Sequence, residues 1–135
     1  MEFQLYSHAM AAAAGFAILM MILGMLSTIG RSSENRCACG QVKRNYSDPA
    51  YRRGRAFANA QEIAGPFVMA LSAAVLMGGA PFWVNTFASV FLLGRIAMAI
   101  VHIQTEIQPL RSVFWMIGTI CVYALAIIGL MGAFS

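Results

Sequence analysis

Three polar residues near the middle of the chain are spaced to act together. Arg55, Asn59 and Glu62 stand at i, i+4 and i+7, so on a helix they share one face. Glu62 lies about two turns, roughly 10 Å, beyond Arg55. The long apolar run that opens here puts a carboxylate inside what reads as membrane. Ionisable groups at that depth are costly, and they normally face a bundle interior or a watery cavity with a partner. Pro66 follows shortly after. Its ring clashes with the carbonyl of residue 62, and it donates no helix hydrogen bond, which places a kink at the polar cluster. Two roles fit: a functional site, or a structural salt bridge that pins two helices.

The elements that must position this face follow from composition. Of 135 residues, 60% are hydrophobic and 10% charged, with mean hydropathy +0.72. Soluble domains are about 45–50% apolar and about 25% charged. The fold class expected is an all-α integral membrane protein, one domain over residues 1–135. Four apolar stretches read as helices, at about 5–29, 49–77, 82–104 and 109–132, each long enough for ~30 Å of hydrocarbon. Pro49 and Pro109 suit first helical positions. No internal repeat is visible, which argues against an inverted-repeat transporter.

A net charge of +4 does not point to nucleic acid, because the basic residues gather in one loop. Arg31, Arg36, Lys43, Arg44, Arg52 and Arg53 crowd between Gly30 and Gly54, with only Glu34 and Asp48 against them. Such an excess marks the cytoplasmic side. The loop at about 30–48 and the link around Glu106 then share that side, and both termini lie on the other. The N-terminal apolar stretch is too long for a signal core and lacks a preceding Lys or Arg. Cys37 and Cys39 form no disulfide framework and read as reduced thiols. With no further Cys or His nearby, no metal site is expected.

Depth then orders the charges. Arg95 lies about 13 Å inside the cytoplasmic end of the third helix. Glu62 sits at a similar depth on the second, so an antiparallel pair would join them. His102 shares the Arg95 face, and Arg31 and Arg111 stand at helix ends on the same side. The expectation is one cationic cup, open to the cytoplasm, to which every helix contributes. Arginines outnumber Glu62 there, so the cup should favour an anionic ligand such as a carboxylate.

At these residues the chain resembles the MAPEG proteins, membrane-associated proteins in eicosanoid and glutathione metabolism. Arg55-x-x-x-Asn59-x-x-Glu62 with Pro66-Phe67 looks like the family's second-helix signature. Gly94-Arg95-Ile96-Ala97 looks like its third-helix motif. Gln108-Pro109-Leu110-Arg111-Ser112-Val113 looks like its fourth-helix start, nearest to the microsomal prostaglandin E synthase branch. The resemblance covers roughly Asp48 to the C-terminus, and the first helix by position. It implies a homotrimer of four-helix subunits, with glutathione held between neighbours near the cytoplasmic face. Arg55, Asn59, Glu62 and Arg95, with Arg31 a looser match, would hold glutathione. Arg111 and Ser112 would stand near the thiol. The family usually has Tyr where this chain has His102. The arginine used for the thiolate in leukotriene C synthase falls at Ile107, and a histidine of the prostaglandin branch falls at Met98. His102 is therefore either a substitute donor or a helix-end residue facing headgroups.

The function implied is a glutathione-dependent membrane transferase or peroxidase, with a lipophilic electrophile or hydroperoxide entering from membrane lipid. A bacterial inner membrane is the expected location. The alternative is a non-catalytic subunit or scaffold of the same fold, whose polar cluster serves assembly. A proton-coupled exporter fits poorly, because the first helix has no carboxylate past Glu2.

Overall fold

The computed structural model describes residues 2–135. A short 3-10 turn, Glu2–Tyr6, leads into four helices: α1 (Ser7–Leu26), α2 (Pro49–Leu76), α3 (Pro81–Gln104) and α4 (Gln108–Ala133). α2 and α3 pack together, and α1 and α4 flank that pair, each touching both. The connections are short except for the loop between α1 and α2. All described elements are helical, apart from one isolated bridge in that loop, Arg36 with Val42.

Helix starts follow local chemistry. Pro occupies the first turn of α2, α3 and α4, where a missing N–H leaves nothing unpaired. Asp48 caps α2 by accepting the Ala50 N–H at 2.8 Å through Oδ1. α2 ends in a Schellman turn. Gly79 N–H donates to the Ala74 carbonyl at 2.8 Å, and Gly78 N–H to that of Val75 at 3.2 Å. Gly78 takes the left-handed φ of +69° that this turn needs. Tyr6 holds the same end by donating its hydroxyl to the Gly79 carbonyl at 2.6 Å. Asn85 adds two bonds, accepting from Ala9 N–H and donating to the Leu5 carbonyl.

Three aromatic rings, one from each of α1, α2 and α3, form the centre. Phe67 and Phe91 stack at 3.9 Å between centroids. Phe16 meets both edge-on, at 5.7 and 5.0 Å, a favoured aromatic geometry. Leu125 brings α4 into this core, and all four side chains are buried. Farther along, α4 approaches α2 at Gly129. A Cβ there would lie 2.8 Å from Ala73 Cβ and 3.0 Å from α2 backbone atoms. Small residues let helices come this close in a membrane. Gly129→Ala must push the helices apart, so its thermal unfolding should show a loss of about 1–3 kcal/mol.

α1 with its preceding turn, α3 and α4 are long and apolar enough to cross a membrane, at mean hydropathy 2.3, 1.8 and 2.3. α2 falls short of that measure of length and composition. Arg52, Arg53, Arg55 and Glu62 fill its first half, and only Ile63 to Leu76 is free of charge, about 21 Å at helical rise. α2 instead carries polar chemistry along one half and anchors the core with the other. It continues through Pro66 as a single helix.

The α1–α2 loop is folded rather than loose. Asn35 donates to the Gly30 carbonyl and to Asp48 Oδ2, and Lys43 N–H donates to the Asn35 carbonyl at 2.7 Å. Cys37 and Cys39 are joined by a disulfide, where two free thiols were expected. The reason is a turn in which Gly40 N–H donates to the Cys37 carbonyl. It brings the two Cα atoms to 5.2 Å, within the range a disulfide spans.

Candidate functional site

Arg95 is the deepest charge in the bundle, only 4% exposed. A guanidinium removed from water needs hydrogen-bond acceptors, and α2 supplies them through one residue. Arg95 Nη2 donates to the Asn59 backbone carbonyl at 3.0 Å and to Asn59 Oδ1. Glu62, expected as the partner of Arg95, does not fill that role. Three residues past Asn59, it is turned about 60° off the line to α3. Its side chain is 60% exposed, and Oε1 lies 3.8 Å from Arg55 Nη2. The ion pair of α2 therefore lies within the helix, on its outer surface.

On the side of Arg55 and Asn59 that faces α3 and α4, a cavity of about 530 Å³ opens, within the ~300–1,000 Å³ typical of small-molecule sites. α2 contributes Arg55 and Asn59, α3 Met98 and His102, and α4 Arg111, Ser112 and Trp115. Five of the residues predicted from chemistry or resemblance thus meet here: Arg55, Asn59, His102, Arg111 and Ser112. His102 is buried, lines the cavity, and has no partner at Nδ1. It lies inside the pocket instead of facing headgroups. Ser112 donates its hydroxyl to the Gln108 carbonyl at 3.2 Å, which leaves the oxygen available as an acceptor.

Arg111 is held by a residue that sequence reasoning missed. The Tyr46 ring, from the α1–α2 loop, lies 4.3 Å from the Arg111 guanidinium carbon, a cation–π contact. Tyr46 packs edge-on against Tyr51 at 5.1 Å. Arg52 fixes it further. Its Nη1 donates to the Tyr46 carbonyl at 2.7 Å, its Nε donates to the Ile103 carbonyl at the end of α3, and it lies 3.5 Å from Glu106. One ring thus covers a face of Arg111, while Nη1 is buried with no hydrogen-bond partner. Arg44 also lines the cavity. Loop residues follow no helical period, so nothing in their spacing signalled either position.

The lining is strongly cationic. Arg44, Arg55 and Arg111 face one carboxylate, Glu106, and that carboxylate is already engaged by Arg52. Within one chain Arg31 does not join them, although a single cup had been expected. It donates from Nε to the Ser27 carbonyl at 2.8 Å and lines a second cavity, of about 290 Å³, with Gln41, Tyr51 and Gln61. Arg55 borders both cavities. α2 therefore presents two polar stripes, one on either side of Arg55.

Compared with known protein families, residues 9–131 match the model of the MAPEG family. The chain belongs to the MAPEG family. A comparison with curated sequences finds no match. MAPEG membership and three membrane-length apolar helices make this an integral membrane protein. The family includes glutathione-dependent transferases and non-catalytic members, and glutathione is common among them. The match is to the family as a whole and distinguishes none of its branches. The donor set suits glutathione: its two carboxylates call for cationic donors, Arg111 Nη1 is buried at the cavity without a partner, and His102 Nδ1, also unpartnered, can donate or accept.

Proposed function

We propose that this MAPEG protein is a glutathione-dependent membrane transferase or peroxidase acting on a lipophilic electrophile or hydroperoxide. The observation that carries the reading is Arg111: a guanidinium with a buried, unpartnered Nη1, backed by Tyr46, at the wall of a cationic cavity. Glutathione bound there would supply a thiol nucleophile. Arg55 and Arg44 would hold its carboxylates through charge-assisted bonds. Arg111 would favour thiolate over thiol beside it, by charge and by hydrogen bonding. His102 would donate or accept at Nδ1. Asn59 would orient the site indirectly, through Arg95.

The functional unit is a single domain of four spanning helices assembled as a homotrimer, as the resemblance implies. Arg31 and Arg111 lie in separate cavities of one chain, so only a neighbouring copy could bring Arg31 to the Arg111 site. Glu62, exposed on the outer face of α2, would then lie between subunits. The loop at 30–48 would face the cytoplasm, in keeping with its basic residues; the Cys37–Cys39 bond it carries is of a kind uncommon in that compartment. A bacterial inner membrane is the proposed location, with both termini on the far side. The prostaglandin-synthase likeness of the fourth-helix motif is a proposal about the position of Arg111, not about substrate. The non-catalytic reading draws on Arg95, whose bonds to Asn59 are internal and serve packing.

Calorimetry with glutathione on detergent-purified protein tests the proposal. Saturable binding that Arg55→Ala weakens at least tenfold is expected. No heat at millimolar glutathione would overturn it. Within the site, Tyr46→Ala should lower glutathione affinity roughly three- to thirtyfold, the range of a cation–π contact. Tyr46→Phe keeps the ring and should bind like the parent protein. Equal losses in both variants would assign the effect to the hydroxyl instead.

A further inference from the structure

A third feature lies away from both polar cavities. Between α1 and α3 runs a groove of about 380 Å³. One wall is Leu19, Leu23 and Leu26, and the other is Ile96, Ile100 and Ile103. On each helix these positions fall on one face, at i, i+4 and i+7. The groove ends where α1 and α3 both end, beside the basic loop. Its polar lining there is Arg53 and Gln104.

Arg53 differs from its neighbours. Arg52 has Glu106, and Arg55 has Glu62. Among the described residues, no carboxylate lies within ion-pair distance of Arg53. Its Nη2 donates to the Ile29 carbonyl at 2.8 Å, which anchors the guanidinium at the end of α1. Its Nε is buried and unpartnered. An apolar channel with one anchored cation at its mouth is complementary to an amphiphile with a negative head. The guanidinium fork suits phosphate oxygens, and basic residues beside a membrane attract anionic lipid.

We propose that this groove binds a phospholipid with an anionic headgroup, its phosphate on Arg53 and an acyl chain between the Leu and Ile walls. The groove shares no lining residue with the Arg111 cavity, so the lipid occupies a site separate from that of glutathione. It would tie the base of the α1–α2 loop to the membrane surface.

Native mass spectrometry of the delipidated full chain, titrated with phosphatidylglycerol or phosphatidylcholine, tests this. The parent protein should hold phosphatidylglycerol through detergent removal, with roughly a fivefold preference over phosphatidylcholine, the effect of one arginine near an anionic surface. Arg53→Gln should abolish the preference while leaving residual binding of both lipids. Ile100→Trp fills the groove from a position already exposed, and it should reduce binding of both lipids with unchanged circular dichroism. No preference in the parent protein, or a preference retained in Arg53→Gln, would overturn the proposal. So would an Ile100→Trp variant that keeps its lipid. A change of oligomeric state in that variant would also overturn it, by assigning the groove to a second copy of the chain.

Discussion

Asn59→Leu should destabilise the protein by about 3 kcal/mol, far more than Glu62→Leu. The substitution removes the Oδ1 that Arg95 reaches and leaves the most deeply buried guanidinium with a single backbone acceptor. A buried donor left without its partner costs about 1–3 kcal/mol, and more when it is charged. Glu62 is exposed and pairs with Arg55 along the same helix. Surface pairs of that kind contribute about 0–1 kcal/mol. Thermal unfolding in detergent of the two variants side by side gives the comparison. The reverse order, with Glu62→Leu the more damaging, would mean that Glu62 is a buried partner in the assembled protein. Asn59→Asp separates the acceptor from the amide. It keeps an oxygen for Arg95 and should retain most of the stability.

That contrast marks where the sequence was legible. The positions of Arg55, Asn59 and Glu62 on α2 and of Arg95 on α3 follow from helical spacing, and their depth follows from rise per residue. Which acceptor meets Arg95 depends on a rotation of about 60° between Asn59 and Glu62. Spacing alone does not resolve that when both residues have suitable chemistry. The all-helical architecture was readable because apolar runs mark it, and for α2 and α4 a proline marks the start as well: Pro49 and Pro109 each stand in a first turn. α2 differs from the other helices in composition, because Arg52, Arg53, Arg55 and Glu62 all lie in its first half. Arg31 was assigned to the Arg111 cup because both stand at helix ends on one side. Side does not fix azimuth, and α2 stands between them. Tyr46 and the Cys37–Cys39 bond lie in the loop, where no period links position to direction.

Arg111→Ala carries the other large expected effect. If Arg111 stabilises a thiolate, its removal should slow glutathione-dependent turnover by about 10²–10³-fold, the loss typical of one preorganised donor at a developing charge. Affinity for glutathione should fall much less, because Arg44 and Arg55 still line the cavity. The deficit also has a pH signature. A free cysteine thiol titrates near 8.5, so raising the pH toward that value supplies thiolate without Arg111. The variant should therefore recover toward the parent rate as pH rises, and the gap should widen as pH falls. Arg111→Lys keeps the charge but loses the planar contact with Tyr46, and should fall between the two. A deficit independent of pH would leave Arg111 with a binding role and no part in ionising the thiol.

The central claim is that the Arg111 cavity holds glutathione as a thiolate. The most direct measurement is ultraviolet difference absorbance of the purified protein at neutral pH, titrated with glutathione. A saturable thiolate band in the parent protein, absent from Arg111→Ala although that variant still binds by calorimetry, is the predicted result. Binding without a thiolate band in the parent protein, or an unchanged band in Arg111→Ala, would contradict it.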